Sequence, residues 1–198
     1  INLGSGLSSS HQNARLAAAE LEGVYVIDSQ NLSTGSGLLV LKACQLAEQG
    51  LSANEIAQQV TDLVSKSHAS FVINTLEFLR AGGRCSALAA FGANLLGIKP
   101  SIKVDNQDGG KMNVGKKYRG RYDQVILSYV KDTLARYPDY DDEIVFITHS
   151  GTKKEYINAV RKYLKENTTF KNIYITQASC TISCHCGPDT LGILFMTK

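Results

Sequence analysis

The feature that most constrains the fold is an alternation of short β-branched or aromatic runs with longer stretches of helical period. Such runs lie at residues 1–3, 24–28, 70–73, 144–148, 173–176 and 192–196, and apolar residues three or four apart follow most of them. A strand followed repeatedly by a helix is typical of α/β proteins, whose crossover connections favour parallel pairing. The sequence therefore predicts an α/β fold built on a parallel sheet with helices on both faces.

The helical stretches lie at residues 11–21, 35–46, 53–64, 75–80, 86–96, 122–137 and 153–166. Ser52 and Glu55 have the spacing of a capping box at the start of the third stretch. Parallel order lapses at a predicted hairpin, in which residues 102–104 and 111–114 are joined through Asp108-Gly109-Gly110. Glycine and lysine replace aliphatic residues between positions 100 and 121. This shift predicts two lobes, residues 1–100 and residues 101–198.

Composition excludes several classes of protein. Lys and Arg exceed Asp and Glu by 21 − 18 = 3, a surplus too small to argue for nucleic acid by charge alone. No run of 18 apolar residues occurs and no secretory signal is visible, so we expect no stable membrane insertion. Five irregularly spaced cysteines indicate reduced thiols and a cytoplasmic protein. Because Ile1 stands where Met would begin a gene product, we expect a fragment of a longer chain.

Two serine-rich loops follow the first two predicted strands. The first serine loop, residues 4–10, contains Ser8 and Ser10, and the second, residues 29–34, contains Ser33. The carboxyl ends of parallel strands face one crevice, and helix N-termini there favour an anionic head such as a carboxylate. Neither loop carries a lysine, so a phosphate loop is not indicated. The alternative is that these serines only cap helices and turns.

Two further residues are candidates for binding an anion. Arg84 follows the glycine helix stop at Gly82-Gly83, where the backbone can turn and present the guanidinium to a ligand; an exposed surface arginine is the alternative. His185 is predicted at the end of a strand before Gly187-Pro188, able to donate to an anion; a structural histidine is the alternative. On a strand, Cys184 and Cys186 face away from His185, so we predict no metal site.

Two other functions remain open. Serine, histidine and aspartate together allow a Ser/His acyl-ester hydrolase, although no Gly-x-Ser-x-Gly elbow occurs. A basic run allows binding of nucleic acid or of an acidic partner. Its members are Lys111, Lys116, Lys117, Arg119 and Arg121.

Taken together, the motifs resemble the DegV family of bacterial fatty-acid-binding proteins. Residues 5–10 are similar to its Ser-x-Leu-Ser-Gly-Thr loop, with Ser9 in place of the usual Gly. Asp28-Ser29 and Ser33-x-Gly35 resemble its second loop, and His185-x-Gly187-Pro188 its C-terminal His-x-Gly-Pro-Gly, with Asp189 in place of the last Gly. Two longer stretches also match in order, TLEFLRAGGR at residues 75–84 and LLGIKP at residues 95–100. The resemblance covers the whole chain but lacks the family's N-terminal stretch.

The resemblance implies a parallel-sheet lobe and a second, smaller α/β lobe that enclose a long-chain fatty acid between them. Residues 1–100 would then be the remainder of the first lobe, with part of the second possible, and 101–198 the second, whose His-x-Gly-Pro segment returns to the ligand. Ser8 and His185 are the implied carboxylate ligands, and Ser33, Arg84 and Ser10 support them.

The resemblance also implies a non-enzymatic role in lipid binding, without a cofactor. The bound acid would be presented to a fatty acid kinase, which phosphorylates the carboxylate at its own ATP site. Arg119 and Lys117 are the implied docking residues for that partner.

Overall fold

The computed structural model describes residues 1–85 and 97–198, which fold as two compact units. The first unit comprises Ile1–His68 and Val104–Lys111, and the second comprises Ala69–Lys103 and Met112–Lys198. The predicted division between residues 100 and 101 falls inside a strand instead, at residues 98–105. The glycines and lysines that suggested a boundary there belong to that strand, to the neighbouring strand at residues 111–119, and to the turn between them.

The first unit is mainly helical. Its helices are α1 (Ser10–Ala18), α2 (Ser33–Glu48) and α3 (Ala53–Leu63), and a 3-10 turn (Val64–Lys66) follows α3. The strands predicted at residues 1–3 and 24–28 reduce to one parallel bridge between Asn2 and Asp28. Beyond that bridge the two segments stay hydrogen-bonded but leave the regular ladder register, since the backbone N–H of Gly4 donates to the carbonyl of Asn31, at 2.9 Å.

The start of α3 confirms the predicted capping box. The Ser52 hydroxyl accepts from the backbone N–H of Glu55 at 3.4 Å, and a Glu55 carboxylate oxygen accepts from the backbone N–H of Ser52 at 2.8 Å. Two of the N–H groups that a helix leaves unpaired at its start are thereby satisfied. Val60 and Val64, one turn apart, are then buried on the inward face.

A six-stranded mixed sheet forms the body of the second unit, in the order β3-β2-β1-β6-β4-β5. β1 pairs antiparallel with β2, β4 antiparallel with β6, and β4 parallel with β5. Antiparallel pairing is therefore more extensive than the parallel sheet that we predicted. The strands are β1 (Ser67–Val72), β2 (Ile98–Asp105), β3 (Lys111–Arg119), β4 (Tyr140–Ser150), β5 (Asn172–Gln177) and β6 (Thr190–Thr197).

Four helices accompany this sheet in the described chain. They are α4 (Glu77–Gly82), α5 (Tyr122–Arg136), α6 (Lys154–Asn167) and α7 (Cys180–Cys186). The helix predicted at residues 86–96 lies outside the described residues. None of the described helices combines the length and apolar character that a membrane crossing requires.

The core of the second unit lies where α5 and α6 meet the centre of the sheet. β6 is buried over almost its whole length, from Thr190 to Met196, because it runs between β1 and β4. The buried cluster includes Val125, Ile126 and Val130 from α5, Ile157, Val160 and Leu164 from α6, and Val145, Ile147, Leu191, Ile193 and Phe195 from the sheet. Burial of this apolar surface supplies the dominant favourable term for folding of the unit.

One prediction about the C-terminal segment is wrong. His185 lies in the last turn of helix α7, and not at the end of a strand. The Ser179 hydroxyl accepts from the backbone N–H of Ile182 at 3.5 Å and begins the helix, and Gly187, with a φ of 77°, ends it. The sequence did not indicate a helix here because Cys, Thr and Ile are weak helix formers. The capping by Ser179 and Gly187 was not recognised from the sequence.

Candidate functional site

Ser8 and Ser10 lie together at the start of α1. Their hydroxyl oxygens are 2.9 Å apart, and the Ser8 hydroxyl also accepts from the backbone N–H of Ser10 at 3.2 Å. Ser9 has a φ of −70° and a ψ of 0°, an ordinary helical conformation. Serine in place of the family's glycine therefore brings no backbone strain at this position.

The second serine loop is held by its own polar groups. Asp28 Oδ1 accepts from the backbone N–H of Gln30 at 2.9 Å, and the fully buried Ser29 hydroxyl lies 2.8 Å from that of Ser36. Ser33 begins α2 with a φ of 51°, a left-handed conformation that is uncommon for serine. The hydrogen bonds of Asp28 and Ser29 hold the start of the loop that leads to Ser33.

A buried amide anchors this loop to the end of the first unit. Asn31 is fully buried, and its Nδ2 donates to the carbonyl of Ser67 at 2.9 Å. The Ser67 hydroxyl in turn donates to the carbonyl of Gly35 at 2.8 Å, inside the first turn of α2. A Cβ atom on Gly35 would overlap the Asn31 side chain, so only glycine fits there. The loop is therefore a preformed element.

His185 is held by the packing of α7 against α4 within the second unit. A Cβ atom on Gly82 would collide with Nδ1 of His185, so the imidazole lies directly on the glycine backbone. Gly187 meets the ring of Phe78 in the same manner. The Nδ1 atom of His185 is buried and has no hydrogen-bond partner among the described residues. Buried polar atoms without a partner are rare, and often mark a place where a ligand or water binds.

Arg84 reaches the same glycine from the other side of the helix stop. Its Nη1 donates to the carbonyl of Gly82 at 2.9 Å, while Gly83 ends α4 with a φ of 63°. The guanidinium is exposed. Arg84 and His185, predicted separately, thus both contact Gly82. Ser8, Ser10 and Ser33 belong to the first unit, and their convergence with this pair stays a prediction.

Asp189 lies three residues beyond the end of α7. Its φ is 52°, which explains why the related motif carries glycine at this place, and why aspartate, which tolerates that conformation, is accepted. Its backbone carbonyl accepts a hydrogen bond from the hydroxyl of Tyr122. Burial, and next the nearby Asp189 charge, raise the pKa of the Tyr122 hydroxyl well above its ordinary value. Tyr122 therefore stays protonated and holds this backbone in place.

Two other imidazoles resemble His185 and were missed in the sequence analysis. His11 is 9% exposed and His149 is half-buried, and each has a buried Nδ1 without a partner among the described residues. Burial lowers the pKa of His149, which favours its neutral form. His11 follows Ser10 directly in α1, so its place beside the first serine loop was the signal that could have identified it.

The predicted basic run lies on β3 and the turn after it. Much of its charge is paired within the described chain: Lys111 with Asp108, Lys116 with Asp132 and Arg121 with Asp123, each at 2.8 Å. Lys117 and Arg119 are exposed on β3, an edge strand of the sheet. This pairing weakens the case for nucleic-acid binding, which needs several cations directed at phosphates.

A metal cluster and a Ser/His hydrolase, the two other chemistries considered from the sequence, have no assembled site within residues 1–85 and 97–198. No group of three His, Cys, Asp or Glu side chains there could hold a metal ion. Burial raises the pKa of the Cys186 thiol to about 12, so this sulfur stays protonated and is a poor metal ligand. The Ser8 hydroxyl bonds to Ser10, whereas a Ser/His hydrolase needs its nucleophile bonded to an imidazole.

Known proteins are similar to this chain in sequence and in fold. A family model described as an uncharacterised protein of the DegV family matches residues 1–198. A DegV domain-containing protein of Caldanaerobacter subterraneus subsp. tengcongensis is 31% identical over 202 residues, covering 100% of this chain and 70% of that protein.

Solved structures agree. A DegV family protein from Thermus thermophilus, described for its fatty acid binding, is 27% identical with a TM-score of 0.84, over 99% of this chain and 69% of that one. The Streptococcus pneumoniae Fatty Acid Kinase (Fak) B3 protein, loaded with linoleic acid, is 23% identical with a TM-score of 0.84, over 99% of this chain and 70% of that one, and shows the same fold. The resemblance inferred from the motifs is thus confirmed, and the chain belongs to the DegV family.

Proposed function

We propose that this protein binds a long-chain fatty acid and is not itself an enzyme. The observation that carries the proposal is the buried, unpartnered Nδ1 of His185, held on the backbone of Gly82. A carboxylate only accepts hydrogen bonds, so an imidazole ring, which can donate an N–H, is a suitable partner for it. The fatty acid binding of the related Thermus thermophilus protein supports the same ligand class.

In this proposal Ser8 and His185 bind the carboxylate, with Ser33, Arg84 and Ser10 in support. Hydroxyl and imidazole groups donate hydrogen bonds to the anion, and the Arg84 guanidinium offsets its charge. The tail supplies most of the affinity, because each buried CH₂ contributes about 0.8 kcal/mol and sixteen contribute roughly 13 kcal/mol before the costs of binding. The polar residues then select a carboxylic acid over other lipids with the same tail.

Substitution of the two principal residues tests the assignment. Ser8→Ala and His185→Ala should each weaken the binding of radiolabelled palmitate, measured by equilibrium dialysis, by about tenfold, the loss expected for one hydrogen bond to a charged group. Ser9→Ala is the matched control, because Ser9 is exposed and its side chain caps no helix. Palmitate affinity that is unchanged in both variants would contradict the assignment of these residues.

We further propose that the protein presents the bound acid to a fatty acid kinase, with Arg119 and Lys117 as docking residues. Both side chains are exposed on an edge strand, where a partner has access. The double variant Arg119→Ala with Lys117→Ala should lower the rate of acyl phosphate formation by a fatty acid kinase, while palmitate binding is unchanged. Lys165→Ala, an exposed lysine of α6, is the control. An unchanged rate in the double variant would exclude this docking surface.

Hydrolysis of acyl esters is the alternative to simple binding. It requires turnover of a chromogenic ester by the wild-type chain, abolished by Ser8→Ala with palmitate retention intact. That result would show that the protein is a hydrolase and would overturn the proposal that it only binds its ligand. An absence of turnover together with palmitate binding would support the proposed binding function.

A further inference from the structure

The turn of the β2–β3 hairpin, residues 105–110, is a stiff element of the first unit. The backbone N–H of Gly110 donates to the carbonyl of Asp105 at 2.9 Å, and that of Lys111 donates to the carbonyl of Asp108 at 3.1 Å. The ammonium of Lys111 lies 2.8 Å from the carboxylate of Asp108 across the turn. We refer to residues 105–110 as the hairpin turn.

The hairpin turn contacts both serine loops through one residue, Gly109. Its carbonyl accepts from the backbone N–H of Gly6 at 2.8 Å, in the first serine loop. Its N–H donates to the side-chain oxygen Oε1 of Gln30 at 3.0 Å, in the second. A single peptide segment of the hairpin therefore bonds to both loops at once.

The approach is too close for any side chain at this place. A Cβ atom on Gly109 would lie 2.7 Å from the backbone nitrogen of Gly6, and one on Gly110 would lie 2.9 Å from the carbonyl carbon of Gln30. Both obstacles are backbone atoms, which cannot rotate away as the end of a flexible side chain can. Gly109 also has a φ of 63°, so both the conformation and the space require glycine.

The segments that contain the two serine loops are also hydrogen-bonded directly to one another, in addition to their bonds to the hairpin turn. Gly4 donates to the carbonyl of Asn31 at 2.9 Å, and the backbone N–H of Ser5 donates to Asp28 Oδ1 at 3.1 Å. The attachment points of Gly109 lie two residues before Ser8 and three before Ser33. Movement of the hairpin turn would therefore displace both hydroxyls relative to each other.

We propose that Gly109 and Gln30 are positioning residues, which set the geometry of Ser8 and Ser33 for the carboxylate of the ligand. This inference rests on the proposed fatty acid binding and adds to it the part of the fold that prearranges the head-group site. Hydrogen bonds weaken steeply when their angles depart from linearity, so a small shift of the loops costs affinity for the acid. The tail, whose burial is not directional, is affected much less.

The distinguishing measurement is the ratio of affinities for oleate and for oleyl alcohol, which have the same tail and differ in the head group. Gly109→Ala and Gln30→Met should each lower the preference for the acid by about tenfold, because the anion depends more on aligned donors than the alcohol does. Gln30→Met keeps the volume of the side chain and removes the acceptor for Gly109, so it tests the same link with less risk of unfolding.

Matched controls exist in the same unit. Gly50→Ala introduces the same kind of positive-φ strain, at 84°, in a place with open space around it, and Gln49→Met changes an exposed glutamine at the end of α2. Both should leave the oleate preference of the wild type unchanged. Hydrogen exchange at the backbone N–H of Gly6 should accelerate in Gly109→Ala and not in Gly50→Ala.

The outcomes separate this inference from the proposed function. If Gly6 exchange accelerates while the variants lose affinity for both lipids equally, or for neither, the hairpin turn has a structural role only and the inference is overturned, although fatty acid binding stands. If the wild-type chain binds neither lipid, the proposed function fails and the inference fails with it.

Discussion

Single residues of this chain show how backbone geometry decides which substitutions are tolerated. Ser9 and Asp189 both replace glycines of the related motifs, but for different reasons. Ser9 has an ordinary helical φ, so its backbone does not require glycine. Asp189 has a φ of 52°, which aspartate adopts more readily than most residues, and Tyr122 bonds to its carbonyl. The departures from the family pattern are therefore compatible with the fold.

Tyr129 carries the residue-scale prediction about stability. Its buried hydroxyl donates to the carbonyl of Ser70 in β1 at 2.6 Å and accepts from the backbone N–H of Ile193 in β6 at 3.2 Å. Burial raises the pKa of this hydroxyl to about 12, so it stays protonated. Tyr129→Phe removes both of these buried hydrogen bonds and should lower the free energy of unfolding in urea by about 1–3 kcal/mol.

Tyr174→Phe provides the comparison for that measurement, because Tyr174 is 49% exposed on β5. It should change the free energy of unfolding by less than about 0.5 kcal/mol. Equal effects of the two substitutions would mean that the hydroxyl of Tyr129 does not stabilise the contact between β1 and β6.

At the same scale, the sequence could propose candidate site residues only by residue type and local pattern. Ser8, Ser33, Arg84 and His185 were predicted because serine-rich loops, a double-glycine stop and a Gly-Pro turn are local signals, and their shared role stays a prediction. The contact of His185 with Gly82 could not be found in this way, because it joins residues about a hundred positions apart through packing of α4 on α7. Gln30 was missed because a single glutamine in a loop carries no pattern.

Among the elements, the contact between α4 and α7 makes the sharpest prediction about binding. Gly82→Ala places a methyl group in the position of the His185 imidazole, so the ring must move. Alanine favours a helix more than glycine does, so the fold should not be weakened by propensity. We expect palmitate affinity to fall about tenfold with little change in urea unfolding.

Substitution of the neighbouring Gly83 separates an effect on palmitate affinity from an effect on stability. Gly83→Ala introduces strain at a φ of 63° with nothing within 4 Å. It should lower the free energy of unfolding by about 1 kcal/mol and leave palmitate affinity unchanged. Palmitate affinity that falls in Gly83→Ala but not in Gly82→Ala would contradict the proposed role of the His185 position.

The capping box of α3 predicts a dependence of stability on pH. The hydrogen bond from Ser52 is the main cause that lowers the pKa of Glu55 below its ordinary value. A carboxyl whose pKa is lower in the folded state stabilises that state above its unfolded pKa, and the contribution disappears as pH falls through the folded pKa. Ser52→Ala should therefore lower the melting temperature at pH 7, and lower it less in acid.

Thermal unfolding of the two proteins across this pH range measures the effect. Ser65→Ala, at an exposed residue of the 3-10 turn after α3, is the control and should shift the melting temperature little at any pH. A difference between wild type and Ser52→Ala that stays constant from neutral to acid pH would mean that Glu55 ionisation is not coupled to this helix.

Elements with strong local signals were the ones that the sequence predicted well. The capping box and the amphipathic pattern of α6 are examples, because each depends on residues within a few positions of one another. Strand pairing was predicted less well, since the antiparallel partnership of β4 and β6 is decided by contacts across 40 residues or more. The helix α7 was also missed, because packing and capping outweigh the weak propensities of its residues.

For the whole molecule, the division into two units is decided by contacts between residues distant in the chain, which a change in composition along the sequence does not reveal. Residues 104–111 belong with the first unit although the surrounding strands belong with the second, so the chain passes between the units more than once. A single boundary predicted from a change in composition assumes that the chain passes from one unit to the other only once. The α/β class and DegV membership were nevertheless available from the sequence, because the motifs extend from one end of the chain to the other.

Native mass spectrometry of the purified chain, followed by denaturing extraction and lipid analysis, tests the central claim most directly. We predict a complex of one protein with one long-chain fatty acid, released on denaturation and depleted in Ser8→Ala and His185→Ala. A chain that carries no lipid and that also fails to bind added oleate would contradict fatty acid binding as its function.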